Sequence, residues 1–243
     1  MSARRLPAIL TFALVAALAA CNSAAGTGSP GTSAGTATTP APTTAGATVG
    51  PEASVDVSAA TAALAKLKTY KVTMVVTGTS SVNIELVINN APTAARSIRT
   101  TSGSVAIRVI EIGDDVWFDA GTGTFVKGAM PKAQADSMFA AFDLAAMVGG
   151  LQQGGVADAM QNMGTEQKNG INAVHLHADE HTVLPAGSSP IPAGATADFW
   201  IAVDGGYLVA LEAVGFSSAT ATGDVSIELT NVDDPALIIQ PPS

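Results

Sequence analysis

Residues Val82, Ile84, Leu86 and Ile88 alternate with Asn83, Glu85 and Asn89. No other pattern in the chain constrains its fold as strongly. Successive side chains on a strand point to opposite faces, so this run has one apolar face and one polar face. Such a run is a half-buried strand of an antiparallel sheet, with a core on one side and water on the other. The run before it behaves alike, with Val72, Met74 and Val76 on one side. Shorter runs follow at residues 95–101, 105–112 and 116–119, and Gly121 to Gly123 supply a turn before Phe125-Val126. A second group of strands is predicted at residues 164–167, 171–178, 197–203, 207–214 and 225–230. Asn169-Gly170 and Gly205-Gly206 serve as hairpin turns.

Helical spacing appears in two places. Leu64 and Leu67 share a face in a first helix near residues 59–68, with Ser58 as its N-cap. Between the two strand groups, residues 132–160 change period. Met138, Phe142, Leu144, Met147 and Leu151 recur at helical intervals, and Asp143 is placed to cap the second of these helices. Gly149-Gly150 and Gly154-Gly155 loosen that segment. Five of the seven methionines fall between Met130 and Met163, and methionine adapts to apolar partners of varied shape. Helix, strands, helices, strands is the order of an α+β fold: a curved antiparallel sheet with helices packed on one face.

The N-terminus carries Arg4 and Arg5, an apolar run from Leu6 to Ala20, and then Leu18-Ala19-Ala20-Cys21. That is a charged region, a short apolar region and small residues before a cleavage point. The run is shorter than the ~20 apolar residues that span a bilayer. Its end resembles a bacterial lipobox, in which the cysteine becomes the lipidated first residue. Cys21 is the only cysteine, so it has no partner for a disulfide. Residues 1–20 are therefore read as a lipoprotein signal peptide. Residues 21–57 form a lipidated, unstructured tether of Ala, Gly, Thr, Ser and Pro, and residues 58–243 form one domain. A tether of that length reaches roughly 35 Å.

Cleavage before Cys21 leaves 9 basic against 20 acidic residues. A net charge of about −11 repels nucleic acid and anionic headgroups, so attachment to a membrane falls to the acyl chains. Only 5% of residues are aromatic, which disfavours a sugar platform.

Three tempting motifs fail on context. Gly31-Thr32-Ser33-Ala34-Gly35 matches G-x-S-x-G, but it lies in the tether with no strand before it and no helix after it. His177, Glu180 and His181 spell H-x-x-E-H, which needs a helix to aim both imidazoles at one zinc ion. Here the segment reads as a strand, with His175 and His177 on its polar, solvent-facing side and Val174 and Leu176 on its core side. Asp114-Asp115, Asp179-Glu180 and Asp233-Asp234 read as solvated pairs.

Several segments in order resemble the lipid-carrier lipoproteins of mycobacteria and relatives, the LppX–LprAFG family, and more distantly LolA-like proteins. They are Leu67-Lys68-Thr69-Tyr70, Gly113-Asp114-Asp115-Val116-Trp117-Phe118, Phe142-Asp143-Leu144, Gly170-Ile171-Asn172-Ala173-Val174-His175-Leu176, Phe199-Trp200-Ile201-Ala202-Val203-Asp204, and Leu229-Thr230-Asn231 running to Pro235. At Gly205-Gly206-Tyr207 the chain lacks the proline that relatives often carry after the turn. The resemblance implies an open half-barrel with helices over its concave face, an apolar cavity between them, no cofactor and no catalytic residues.

The expected function is a membrane-anchored, extracytoplasmic lipoprotein that holds an acyl lipid or another apolar ligand. Its cavity would be lined from Val72, Met74, Val76, Ile84, Leu86, Met138, Phe142, Leu144, Met147 and Leu151. Neither an enzyme activity nor a metal site is expected. The competing expectation is an envelope interaction protein whose core is filled and holds no ligand.

Overall fold

The computed structural model describes residues 59–78, 81–153, 155–185, 188, 190–217 and 222–242. The expected signal peptide and tether, Cys21, the Gly31–Gly35 motif and the expected cap Ser58 lie outside the described residues.

Helix α1 (Ala60–Lys66) leads into β1 (Thr69–Val76), β2 (Val82–Asn89), β3 (Ala95–Ser102), β4 (Val105–Ile112), β5 (Asp115–Asp119) and the short β6 (Val126–Lys127). Three helices follow: α2 (Lys132–Ala140), α3 (Leu144–Gln153) and α4 (Val156–Ala159). The chain then returns as β7 (Gln161–Lys168), β8 (Ile171–Asp179), β9 (Thr196–Ala202), β10 (Leu208–Ser217) and β11 (Thr222–Thr230). All eleven strands form one sheet in the order β6-β5-β4-β3-β2-β1-β11-β10-β9-β8-β7. Every neighbour pair is antiparallel. Two meanders thus meet at the centre, where the first strand pairs with the last, and the helices join the two outer edges. This is the expected α+β class, an open antiparallel sheet consistent with a curved half-barrel.

Register explains the core. Leu229, Val72, Leu86, Ile98, Val109 and Phe118 form one row across six strands. Leu176, Phe199, Leu211, Ile227, Met74 and Ile84 form another. All but the half-buried Phe118 are almost fully removed from water. This is the face that the helices cover. At the β7–β8 turn, Asn169 and Gly170 have φ of 53° and 80°. Both central residues are left-handed, as a two-residue hairpin that follows the sheet twist requires. At the β9–β10 turn Gly205 has φ 104°, and a Cβ there would collide with Ala63 of α1. Glycine at this position lets the first helix pack against the sheet end.

Asp143 caps α3 as expected. Its Oδ1 accepts from the backbone N–H groups of Ala145 at 2.9 Å and Ala146 at 3.2 Å. That satisfies two of the free donors at a helix start.

Candidate functional site

The helical cover is held in two different ways. Helix α2 is tied to β3 and β4 by charge. Arg96 donates to both Glu111 carboxylate oxygens at 3.0 Å and to Asp136, and its guanidinium lies 4.5 Å from the centroid of the Phe139 ring. Lys132 reaches Glu111 Oε1 at 2.5 Å. The hydrogen bond to Glu111 holds the Lys132 ammonium above the usual lysine range. Glu111 itself is buried, so the two cations offset its desolvation.

Helix α3 shows no such ion pair among its described residues. Residues 144–151 are all alanine, glycine, leucine, methionine or valine. Met147, Val148 and Leu151 lie on Phe199 of β9 and on Leu208 and Leu211 of β10, around a cavity of about 10 Å³ lined by these six apolar residues. That is room for about one water molecule. At the N-terminal end of the same helix, Asp143 lies near Tyr70 of β1. Burial, helped by that carboxylate, pushes the Tyr70 hydroxyl up to about 12.

Of the ten residues expected to line a cavity, Met147 and Leu151 do so. Val72, Met74, Ile84, Leu86 and Leu144 are fully packed core residues instead. Val76, Met138 and Phe142 are half-buried against that core. The open cavity implied by the resemblance is absent at this seam, where an acyl chain fits only if α3 moves. The alternating residues Val72, Met74, Ile84 and Leu86 of β1 and β2 lie in the buried core, on strands away from this seam. The lining residues missed were Val148, Phe199, Leu208 and Leu211. Phe199 and Leu211 sit in near-continuous apolar runs of β9 and β10, where period-two reasoning assigns no face. The run length itself was the available signal, since such strands are covered on both sides.

The methionine-rich segment is likewise mixed. Met130 is buried, Met138, Met147 and Met160 are half-buried, and Met163 is exposed.

The histidines need correction. His175 and His177 do share the face opposite Val174 and Leu176, but they are not free in solvent. His175 Nε2 lies 2.8 Å and His177 Nδ1 2.7 Å from the same oxygen of Asp198 on β9. His175 also stacks on Trp200, with ring centroids 4.5 Å apart and planes at 18°. Trp200 donates its indole N–H to Glu166, and Lys168 lies 4.0 Å from its ring while donating to Glu212 at 2.7 Å. Strand pairing causes this, since His175 is the register partner of Trp200 and His177 of Asp198. Only His181, in the turn after β8, is exposed. Among the described residues, no group of three His, Cys, Asp or Glu is placed to hold a metal ion.

Neither a family model nor a curated protein matches the chain. Solved structures do align with it. An uncharacterized conserved protein from Thermus thermophilus matches at 10% identity and TM-score 0.32, over 73% of this chain and 88% of that one. MucB in complex with MucA(peri) matches at 12% identity and TM-score 0.32, over 74% of this chain and 56% of that one. A LolA superfamily protein from Nitrosomonas europaea matches at 7% identity and TM-score 0.22, over 71% and 86%. At these scores the likeness carries no argument, and the fold assignment rests on the strand order above.

Proposed function

We propose that this chain is an extracytoplasmic lipoprotein, anchored through Cys21, that takes up an acyl lipid or similar apolar ligand where α3 lies on β9 and β10. It catalyses no reaction. One observation carries the reading: a seam lined by apolar residues lies beneath a helix whose residues 144–151 are all apolar. Among residues 144–151 no polar side chain has to be unpaired for α3 to lift, and an acyl chain entering the gap replaces the contacts that α3 gives up. Burial contributes about 0.8 kcal/mol per methylene, so ten sequestered methylenes offset ~8 kcal/mol of exposure to water.

The second reading, an interaction lipoprotein with a filled core, is favoured by the cavity of about 10 Å³.

Uptake of a fluorescent fatty acid by the full chain separates the two. Under the carrier reading the wild type binds the probe. Met147→Gln and Leu151→Gln then each weaken binding by about tenfold or more while the melting temperature stays near wild type, since an amide left without a hydrogen bond against a bound acyl chain costs about 1–3 kcal/mol. No probe binding by the wild type, together with strong destabilisation by either substitution, overturns the carrier and leaves the filled core.

A further inference from the structure

The two ends of the sheet differ in what they expose. One end gathers the finish of β8 and β10 with the start of β4, β7 and β9. Five of the seven large apolar side chains exposed on the described surface lie at or near this end: Val105, Val126, Met163, Val183 and Val214. Val183 is the most open of them, at 87% exposure. Three of the five, Met163, Val183 and Val214, sit on the β7–β10 side, which is the side α3 covers. There the turn between α3 and α4 comes against the same loop, since a Cβ on Gly155 would touch the Pro185 ring at 3.6 Å. Leu151, which lines the seam, is one helical turn earlier.

Charge narrows the choice of partner. No Lys or Arg follows Lys168 in the chain, so the β8–β11 side of this end offers no cation. Its carboxylates are partly occupied. Glu180 accepts from the Gly194 N–H, and Asp224 from the Gly215 N–H at 2.9 Å. A surface that exposes aliphatic side chains and no cations gains nothing from an anionic partner.

We infer that this end of the sheet, led by Val183 and Val214, rests on an uncharged or zwitterionic lipid surface and turns the α3 end of the seam toward it. The inference builds on the anchored reading above. The tether keeps the domain within reach, so a contact too weak to bind membranes alone is occupied by proximity.

The test uses the full acylated chain on phosphatidylcholine vesicles. Acylation consumes the thiol of Cys21, so Val183→Cys gives a unique site for an environment-sensitive fluorophore, and Asp114→Cys gives one at the opposite end. The label at position 183 should shift to shorter wavelength on vesicles and lose emission when a quencher is carried on the lipid tails. The label at 114 should do neither. Val214→Asp, or phosphatidylglycerol added to the vesicles, should reduce the shift at 183. An unchanged or equal response at the two positions, in protein that floats with the vesicles, overturns the lipid contact alone. Failure to float overturns the anchor and this contact together, while fatty-acid uptake in solution stays an independent readout of the seam.

Discussion

The strands before the helices and the strands after them handle charge in opposite ways. All nine basic residues of the domain lie at or before Lys168, and nine of its acidic residues lie after it. In the first half carboxylates meet guanidinium and ammonium groups. Asp119 is held well below the usual carboxylate range chiefly by Arg108, whose Nη2 lies 2.7 Å away, with the N–H groups of Thr122 and Gly123 adding to it. In the second half Glu212 meets Lys168, and the other paired carboxylates meet backbone amides, imidazoles, an indole or an amide side chain. Asp179 is held low first by the His181 N–H, and Asp234 first by the Ala236 N–H and then by Asn231. The shift has the same direction in both halves and a different cause. Hydrogen bonds to the charged form stabilise it whether or not the donor carries charge. A half-sheet with Lys168 as its one lysine or arginine can therefore still hold carboxylates such as Asp179 and Asp234 in the charged form.

The largest effect should come from the first half. Glu111→Ala removes the buried carboxylate on which Arg96 and Lys132 converge and leaves both with the more exposed Asp136. Losing the carboxylate's bonds to two charged donors costs about 2–3 kcal/mol, the upper part of the range for hydrogen bonds to charged groups. Urea unfolding should show that loss, together with early exposure of α2 to hydrogen exchange. A loss under about 1 kcal/mol, the range of an exposed pair, would mean that α2 is held by packing, like α3.

A smaller effect belongs to the second half. Replacing His175 and His177 together with Gln unstacks Trp200 and weakens the bonds to half-buried Asp198. About 1–2 kcal/mol should be lost, in the range of hydrogen bonds to a charged group. A neutral result would return both histidines to the role of bare surface residues.

The smallest effect is the sharpest on cause. For Asp119, Asp179 and Asp234 the folded-state value is depressed. Their contribution is therefore present above the unfolded value of about 3.9 and lost as pH falls through the folded value below it. Hydrogen exchange at low pH should loosen the loops beside all three. About 1 M salt at neutral pH should loosen the Arg108–Asp119 corner a little more than the other two, because salt acts on an ion pair, weakly where it is partly buried, more than on amide hydrogen bonds. Equal salt sensitivity at the three sites would erase the distinction between the halves.

Much of this architecture was legible in the chain. Val82 to Asn89 forms a strand because its alternation leaves no other way to bury four apolar side chains on one face. Asn169-Gly170 makes a turn because the left-handed backbone there suits those two residues. Asp143 caps a helix because its carboxylate reaches the next amides. These are local facts, set by neighbours within a few residues. The charge asymmetry and the apolar sequence of α3 are also read directly from the residues.

Tertiary structure decided the rest. Trp200 meets His175 and Asp198 meets His177 only because β8 and β9 pair in one register across more than twenty residues of chain. Phe199, Leu208 and Leu211, rather than Val72 or Ile84, lie under Met147 and Leu151 because β1 and β11 join at the middle of the sheet, and that places α3 over β9 and β10. Free volume is decided last of all. It is the small remainder after many side chains have packed at near-crystal density, and a linear pattern of apolar residues says which face is covered but not how completely the cover fills it.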